Sequence, residues 1–264
     1  MKLSSNREYW LERLDKLTNK LMNKEEKDTF KFLKTYKSSL TEIQTYINFL
    51  FSKYSTDGIL SLSEMYKFNR YQLMEKEITA IVKELDSSEV KYMTGALKET
   101  YIASFVETGA LFVVVNPKIK IDFGIINKDA VAKALNYPWS GDMFSSRIHK
   151  NTSKLITNLR QTITQGFVQG KSISQMSKDL NYVMSVGANN SRRLIRTESM
   201  HVIAASHHDV YTKAKVDKVE FVTAKDDRVC NICKPLDGKI FSINEAPMIP
   251  LHANSRSILI PVFE

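Results

Sequence analysis

The sequence has few cysteines and no long apolar run, and both absences limit what the chain can be. Its 264 residues contain 2 cysteines, which form one C-x-x-C pair. So few thiols exclude a disulfide framework, and their spacing favours a metal or thiol site. No stretch approaches the roughly 20 apolar residues of a membrane helix, and the N-terminus lacks a signal-peptide core. We therefore expect no membrane contact, and synthesis in the cytoplasm.

Sequence signatures of the common enzyme classes are also missing. There is no glycine-rich phosphate loop, nucleophile elbow or glycosidase-type carboxylate pair. His201, His207 and His208 do not have the spacing with a glutamate that metalloprotease helices show. A non-enzymatic protein is therefore the main interpretation.

Positive charge is concentrated in the middle of the chain. The formal net charge is +9, and residues 142–216 contain eleven Lys/Arg against four Asp/Glu. Such a region is typical of a surface that contacts nucleic acid phosphates, without base recognition and with strong salt dependence. A merely solubilising surface is the alternative. The candidate DNA-binding residues are Arg147, Lys150, Lys154, Arg160, Arg192 and Arg193.

Apolar periodicity predicts a mainly α fold with a small β-rich C-terminal part. Stripes at helical spacing begin at Trp10 and at Leu33, and Ser61-x-x-Glu64 is a capping box that opens a helix to about residue 85. A further helix is expected over 88–108. The run 110–115 resembles a strand, so we expect an extended segment near 110–124.

The second half is expected to contain more helices and then three strands. The pattern predicts a short helix from Asp129, a helix over 145–169, a helix from Ser172, a break at 187–190 and a helix over 191–214. Strands are expected at 219–223, 239–241 and 258–262. We predict two domains, an N-terminal helical region over 1–136 and a second domain over 137–264.

The strongest candidate for a site lies in this β-rich part. Cys230 and Cys233 precede a hairpin turn at Asp237-Gly238, and His252 follows nineteen residues after the second cysteine. These side chains could surround one zinc ion, but a closed structural site needs a fourth ligand. Two reduced thiols beside a hydrogen-bonded histidine are the alternative.

The order of these segments resembles the phage head-morphogenesis (Mu-F-like minor head) family. The quoted segments are Asp226-x-Arg-x-Cys-x-x-Cys233, Leu236-Asp-Gly-Lys-x-Phe241, Pro250-x-His252, Trp139-x-Gly141, Gly166 to Ser172, and Arg196-Thr-Glu198. Together they cover roughly residues 137–262. The family pattern ends in two cysteines, which here are Ser255 and Ser257.

This resemblance implies a fourth zinc ligand at position 255, where serine is a poor substitute. His207, His208 or Asp226 could replace it. A catalytic zinc with water as the fourth ligand would need a general base, and Glu198 or Asp227 are the candidates.

Charged side chains around Arg196-Thr-Glu198 suggest a structural network. We expect Arg196 to pair with Asp226 or Asp227, and Glu198 to pair with Arg228 or Arg256, which would attach the β-rich part to a helix.

The resemblance implies a minor head protein of a phage, present in the host cytoplasm during assembly and then in the head interior or at the portal vertex. The expected partners are the portal protein, other head proteins and double-stranded DNA. Two alternatives stay open: a metal-dependent DNA-processing enzyme that uses Cys230, Cys233 and His252, and a DNA-binding adaptor unrelated to phage.

Overall fold

The structure is a computed structural model that describes residues 3–115, 128–223 and 230–263. Its helices are α1 (Leu3–Phe32), α2 (Lys34–Tyr54), α3 (Leu62–Tyr66), α4 (Arg70–Val115), α5 (Lys128–Asn136), α6 (Phe144–Val168) and α7 (Ile173–Lys213). Short 3-10 turns occupy Lys67–Asn69 and Lys234–Leu236, and the strands are β1 (Lys218–Val222), β2 (Ile240–Ser242) and β3 (Ile258–Val262).

The predicted fold class, mainly α with a small C-terminal β part, is confirmed. The strands form one antiparallel sheet in the order β2-β1-β3, in which Val219 pairs with Phe241 on one side and Pro261 on the other. β1 is therefore the central strand, and four of its five residues are buried. Among the described helices, none is both long and apolar enough to cross a membrane.

The strand expected at 110–115 is wrong, because these residues are the end of α4. Burial follows the helical period there: Phe105, Thr108 and Phe112 are buried, whereas Val114 is 75% exposed. A strand would have buried alternate residues instead. The rest of the expected extended segment, residues 116–127, lies outside the described part of the chain.

The helix expected from residue 61 to 85 is interrupted near its start. Ser61 caps α3 as predicted, accepting a hydrogen bond from the backbone N–H of Glu64 at 3.2 Å. The helix then ends at Tyr66, and Phe68 and Asn69 adopt left-handed φ values of 53° and 58°. α4 begins at Arg70 and continues without the break that was expected before residue 88.

The predicted break at 187–190 is also wrong, since α7 runs through it. A Cβ atom on Gly187 would lie only 3.3 Å from the side chains of Leu155 and Tyr36. Glycine therefore permits close helix packing at this position and does not end the helix. By contrast, the predicted cap at Ser172 is confirmed, because its backbone N–H donates to Gln175 Oε1 at 2.9 Å.

Contacts divide the chain into two compact units. Unit 1 comprises Met1–Asp28, Met93–Phe144 and Arg193–Glu264. Its core contains Trp10, whose ring centroid lies 4.4 Å from that of Phe112 and 5.8 Å from that of Phe263. The boundary predicted between residues 136 and 137 falls inside this unit and stays a prediction about sequence organisation.

Unit 2 comprises Thr29–Tyr92 and Ser145–Arg192. Its long helical segments belong to α2, α4, α6 and α7, and the short α3 also lies in it. Tyr36 of α2 donates to Glu89 of α4 at 2.8 Å, and Thr152 of α6 donates to Asp86 of α4 at 2.6 Å. Burial raises the pKa of Glu89 and that of Tyr36.

A buried histidine in unit 1 gives a pH prediction. His207 is 3% exposed and borders a small cavity against β1 and β3, and burial lowers its pKa to about 4. A histidine in the unfolded chain has a pKa of about 6.5, so protonation of His207 favours the unfolded chain. The neutral His207 ring therefore makes its full contribution to folding stability above about pH 6.5. This contribution is lost as the pH falls toward 4, and the total loss is about 3 kcal/mol.

We expect the loss of stability between pH 7 and pH 4.5 to be smaller in His207→Leu than in the wild type. Urea unfolding at both pH values measures it. His208→Leu is the matched control, because His208 is the exposed neighbour on the same helix. Equal pH dependence in the two variants would contradict the prediction.

Candidate metal centre

Cys230, Cys233 and His252 come together as the sequence predicted. One ligand atom from each lies within 4.8 Å of the others. His252 Nε2 is 3.0 Å from the Cys230 sulfur and 3.2 Å from the Cys233 sulfur. The two cysteines share a tight turn, in which the backbone N–H of Lys234 donates to the Cys230 carbonyl at 3.0 Å.

The histidine ring is oriented as a metal ligand would be. His252 Nδ1 lies 2.9 Å from the carbonyl oxygen of Ala253, which can only accept a hydrogen bond. A neutral ring that donates from Nδ1 turns the lone pair of Nε2 toward both sulfurs. Backbone carbonyls fix metal-binding histidines in this way in known sites.

The two thiols differ in acidity. The backbone N–H of Cys233 points at the Cys230 sulfur, and this contact does most to lower the pKa of that thiol, to about 7. Burial raises the pKa of the Cys233 thiol. Zinc binds the thiolate form, so Cys230 is the better prepared of the two ligands.

Ser255 occupies the neighbourhood where a fourth ligand would be needed. Its Oγ lies 3.7 Å from the Cys233 sulfur and the residue is buried. The Ser257 hydroxyl also acts on the Cys233 thiol and lowers its pKa, against the larger effect of burial. The donor set fits zinc with three protein ligands, and hydroxyl groups stand where the resemblance implies thiolates.

His207 and His208, two of the three proposed substitutes for the fourth ligand, do not join this group. Within the described residues the cluster contains only the two cysteines and His252. His207 instead borders the cavity under the sheet, together with His208. Asp226, like Asp227 and Arg228, lies in the undescribed segment 224–229.

The Arg196-Thr-Glu198 signature lies on α7 and contacts the loop that carries His252. The backbone N–H of Asn254 donates to Thr197 Oγ1 at 3.3 Å. Glu198 is buried and accepts a hydrogen bond from Trp139 Nε1 at 3.0 Å. This bond joins the Trp139-x-Gly141 segment to α7. Arg196 forms an ion pair with Glu26 of α1 at 3.3 Å. Its predicted pairing with Asp226 or Asp227 stays a prediction.

Thr197 is the residue that sequence reasoning missed. Its only sequence signal is its position between Arg196 and Glu198, for which charge pairing was predicted. The hydroxyl accepts from Asn254 and donates to the Arg193 carbonyl at 2.7 Å. It therefore joins the His252 loop to α7.

We expect Thr197→Val to weaken zinc binding about fivefold, because loss of a supporting hydrogen bond loosens a ligand and costs about 1 kcal/mol. Competition with a chromophoric chelator measures the affinity. Thr212→Val is the control, since Thr212 makes the same bond to its own helix, to the His208 carbonyl, on an exposed face. Equal affinities for both variants would refute the role given to Thr197.

The candidate DNA-binding residues are not equivalent in the structure. Lys150, Lys154 and Arg193 are exposed, whereas Arg147 and Arg192 are partly buried. Arg160 is turned toward α4, where its Nε lies 3.6 Å from Glu75. Arg256, proposed for the charged network, is also partly buried.

Comparison with known proteins agrees with the motif reading. Residues 157–257 match the Phage Mu protein F like protein family. The chain is therefore similar in sequence to phage minor head proteins. It is 28% identical over 241 residues to the minor head protein GP7 of Bacillus phage SPP1, an alignment that covers 89% of this chain and 76% of the relative.

A second relative has a different description. The chain is 25% identical over 139 residues to the NAD(+)--arginine ADP-ribosyltransferase EFV of Enterococcus faecalis, which covers 51% of this chain but only 28% of that protein. No solved structure matches the chain.

Proposed function

We propose that this protein is a non-enzymatic minor head protein that binds the portal protein during phage head assembly and contacts DNA without sequence preference. The observation that carries the proposal is the similarity to a minor head protein along 89% of the chain. The likeness to the ADP-ribosyltransferase carries no activity to this chain, because it involves just over a quarter of that enzyme.

A portal contact needs a surface other than the N-terminal apolar stripes. The stripe of α1, which includes Trp10 and Leu14, is buried within unit 1, and that of α2, which includes Ile43 and Ile47, is buried within unit 2. These side chains form the cores of the units themselves. The partner surface is therefore to be sought among the exposed apolar residues.

Several of these residues lie between the end of α2 and the first turn of α4 or at the end of α6, and Ile59 approaches Gly170 just after α6; we call them the apical patch. Its exposed members are Ile59, Tyr66, Phe68, Leu73 and Val168. Phe68 is 84% exposed, and its backbone has a left-handed φ of 53°. Exposed apolar patches on soluble proteins commonly mark protein interfaces, and a strained backbone is often found at functional positions.

The charges around the apical patch favour a protein partner over DNA. Glu64 pairs with both Lys67 and Arg70, at 2.5 Å and 2.6 Å. Residues 57–75 contain three acidic side chains, Asp57, Glu64 and Glu75, against the two cations, so this segment has no excess of positive charge although the whole protein is strongly basic. An apolar, locally neutral surface complements another apolar protein surface, and we assign the portal protein as its occupant.

Co-expression with the portal protein of the same phage tests this function. We expect stable co-elution in size-exclusion chromatography with mass determination at low and high salt. Phe68→Ser should abolish co-elution, while Val114→Ser, which changes an exposed apolar residue of unit 1, should not. Free elution of the wild type at both salt concentrations would refute the portal role, and self-association through the patch would appear as a larger mass without portal.

We also propose that the metal centre binds zinc as a structural ion, which would close the loop between the cysteine turn and β3. The rival function, a metal-dependent DNA-processing enzyme, predicts nuclease activity with zinc or magnesium that His252→Ala removes. Zinc content measured on the purified protein, together with absence of that activity, would support the structural role.

A further inference from the structure

We propose that the outer surface of α6 and α7 in unit 2 binds single-stranded DNA, with Tyr182 stacking on a base and Lys154 and Lys178 holding phosphates. This inference rests on the proposed DNA contact and specifies its residues and the form of the nucleic acid. Tyr182 was not among the candidates identified from sequence.

The first support is the relative position of the two helices. Gly187 of α7 approaches Leu155 of α6, and Gly166 of α6 approaches Met176 of α7. Two such contacts fix an antiparallel register, so Tyr182 and Val186 lie level with residues 156–160 of α6. Lys178 lies one helical turn before Tyr182 on α7. Lys154 lies on α6, two residues before the segment 156–160 and thus near the level of Val186.

The second support is the exposure of these side chains. Tyr182 is 71% exposed and Val186 is 39% exposed. Both lysines are exposed, and no ion pair within the described residues involves either of them. An aromatic ring between two lysines combines the two elements of a single-strand surface, stacking on bases and attraction of phosphates.

The third support is the local charge. Residues 145–193 contain eight Lys/Arg and a single acidic residue, Asp179. Lys171 neutralises that carboxylate at 2.7 Å. Negative charge that would repel a phosphate backbone is therefore suppressed along this stretch, which makes the surface complementary to a polyanion.

The size of the surface also suits a nucleic acid. α6 has 25 residues, which corresponds to about 37 Å at ~1.5 Å per residue. A single strand of several nucleotides can contact such a length. Duplex DNA hides its base faces and would use the lysines but not the Tyr182 ring.

Fluorescence anisotropy with a labelled, unstructured single-stranded oligonucleotide and the matching duplex tests the proposal on the full chain. We expect Tyr182→Ala to weaken single-strand binding fivefold or more and to leave duplex binding nearly unchanged, because stacking contributes only where a base is free. Tyr182→Phe should restore single-strand binding, since it keeps the ring.

The lysines are tested by the double variant Lys154→Ala/Lys178→Ala. We expect it to weaken binding of both DNA forms and to reduce the salt dependence by about one to two released counterions. Lys37→Ala/Lys76→Ala removes the same charge from exposed positions on α2 and α4 and is the matched control. Equal losses of DNA affinity in the two double variants would mean that only the net charge of the protein matters. That result would overturn the assignment of Lys154 and Lys178 as phosphate contacts.

The outcomes separate this inference from the function it rests on. If neither DNA form binds at low salt, the proposed DNA contact itself fails. If both forms bind but Tyr182→Ala affects them equally or not at all, DNA contact stands and the single-strand site is refuted. Neither result bears on portal binding, which is measured by co-elution.

Discussion

Ser255→Cys is expected to raise the zinc affinity of the C-terminal site by a factor on the order of 100 to 1,000. Ser255 is buried beside the Cys233 sulfur, with Oγ 3.7 Å away. A thiol there would complete a four-ligand set with Cys230, Cys233 and His252. Because the backbone already brings the three present ligands together, little ordering is needed to use the fourth.

Two measurements check this result. Competition with a chromophoric chelator gives the zinc affinity, and the visible spectrum of the cobalt-substituted protein reports whether the coordination is tetrahedral. Ser242→Cys, which places a thiol on an exposed position of β2, controls for an additional cysteine. A Ser255→Cys affinity equal to that of the control would mean that position 255 does not reach the metal.

Ser257→Cys separates the two serines. Ser257 also acts on the Cys233 thiol and lowers its pKa, but position 257 directly precedes β3, whose pairing with β1 begins at Ile258. A ligand there is restrained by the strand. We therefore expect a smaller gain in affinity than for Ser255→Cys.

Much of the fold could be predicted because most signals were local. Apolar periodicity, the capping box at Ser61 and the turn after α6 depend on neighbouring residues, and these signals located helices correctly, although α4 and α7 are longer than expected. The three strands were found for the same reason. The errors occurred where tertiary packing decides, as at Gly187, whose missing side chain permits a helix contact that no local pattern reveals.

The proximity of Cys230, Cys233 and His252 could be predicted because C-x-x-C spacing and a hairpin turn bring these side chains together by chain geometry alone. The contacts that surround these three residues could not be predicted. Thr197 contacts the loop of His252 only because α7 passes beside it, fifty-seven positions away in sequence. Amphipathicity predicted the helices α1 and α2 correctly. It could not show whether their apolar faces pack in the core of this chain or bind a partner protein.

The other large effect is expected from Trp10→Ala, which should lower the free energy of unfolding of unit 1 by about 3–5 kcal/mol. Trp10 is fully buried, and its ring packs against Phe112 of α4 and Phe263 after β3. One side chain thus joins three segments that are distant in sequence. Its removal leaves a cavity among aromatic rings, which cannot collapse without moving all three segments.

Urea unfolding in the presence of a metal chelator measures this loss without a contribution from bound zinc. Circular dichroism follows all helices, whereas the remaining tryptophan, Trp139, reports on unit 1 alone. Tyr9→Ala is the control, because Tyr9 is a partly exposed neighbour on the same helix and its loss should cost about 1 kcal/mol. Trp139 lies far from Trp10 in sequence, so a shifted Trp139 transition would show that the segments of unit 1 unfold cooperatively. An unshifted transition, with only part of the helical signal lost early, would mean that α1 is an appendage of this unit and not part of its core.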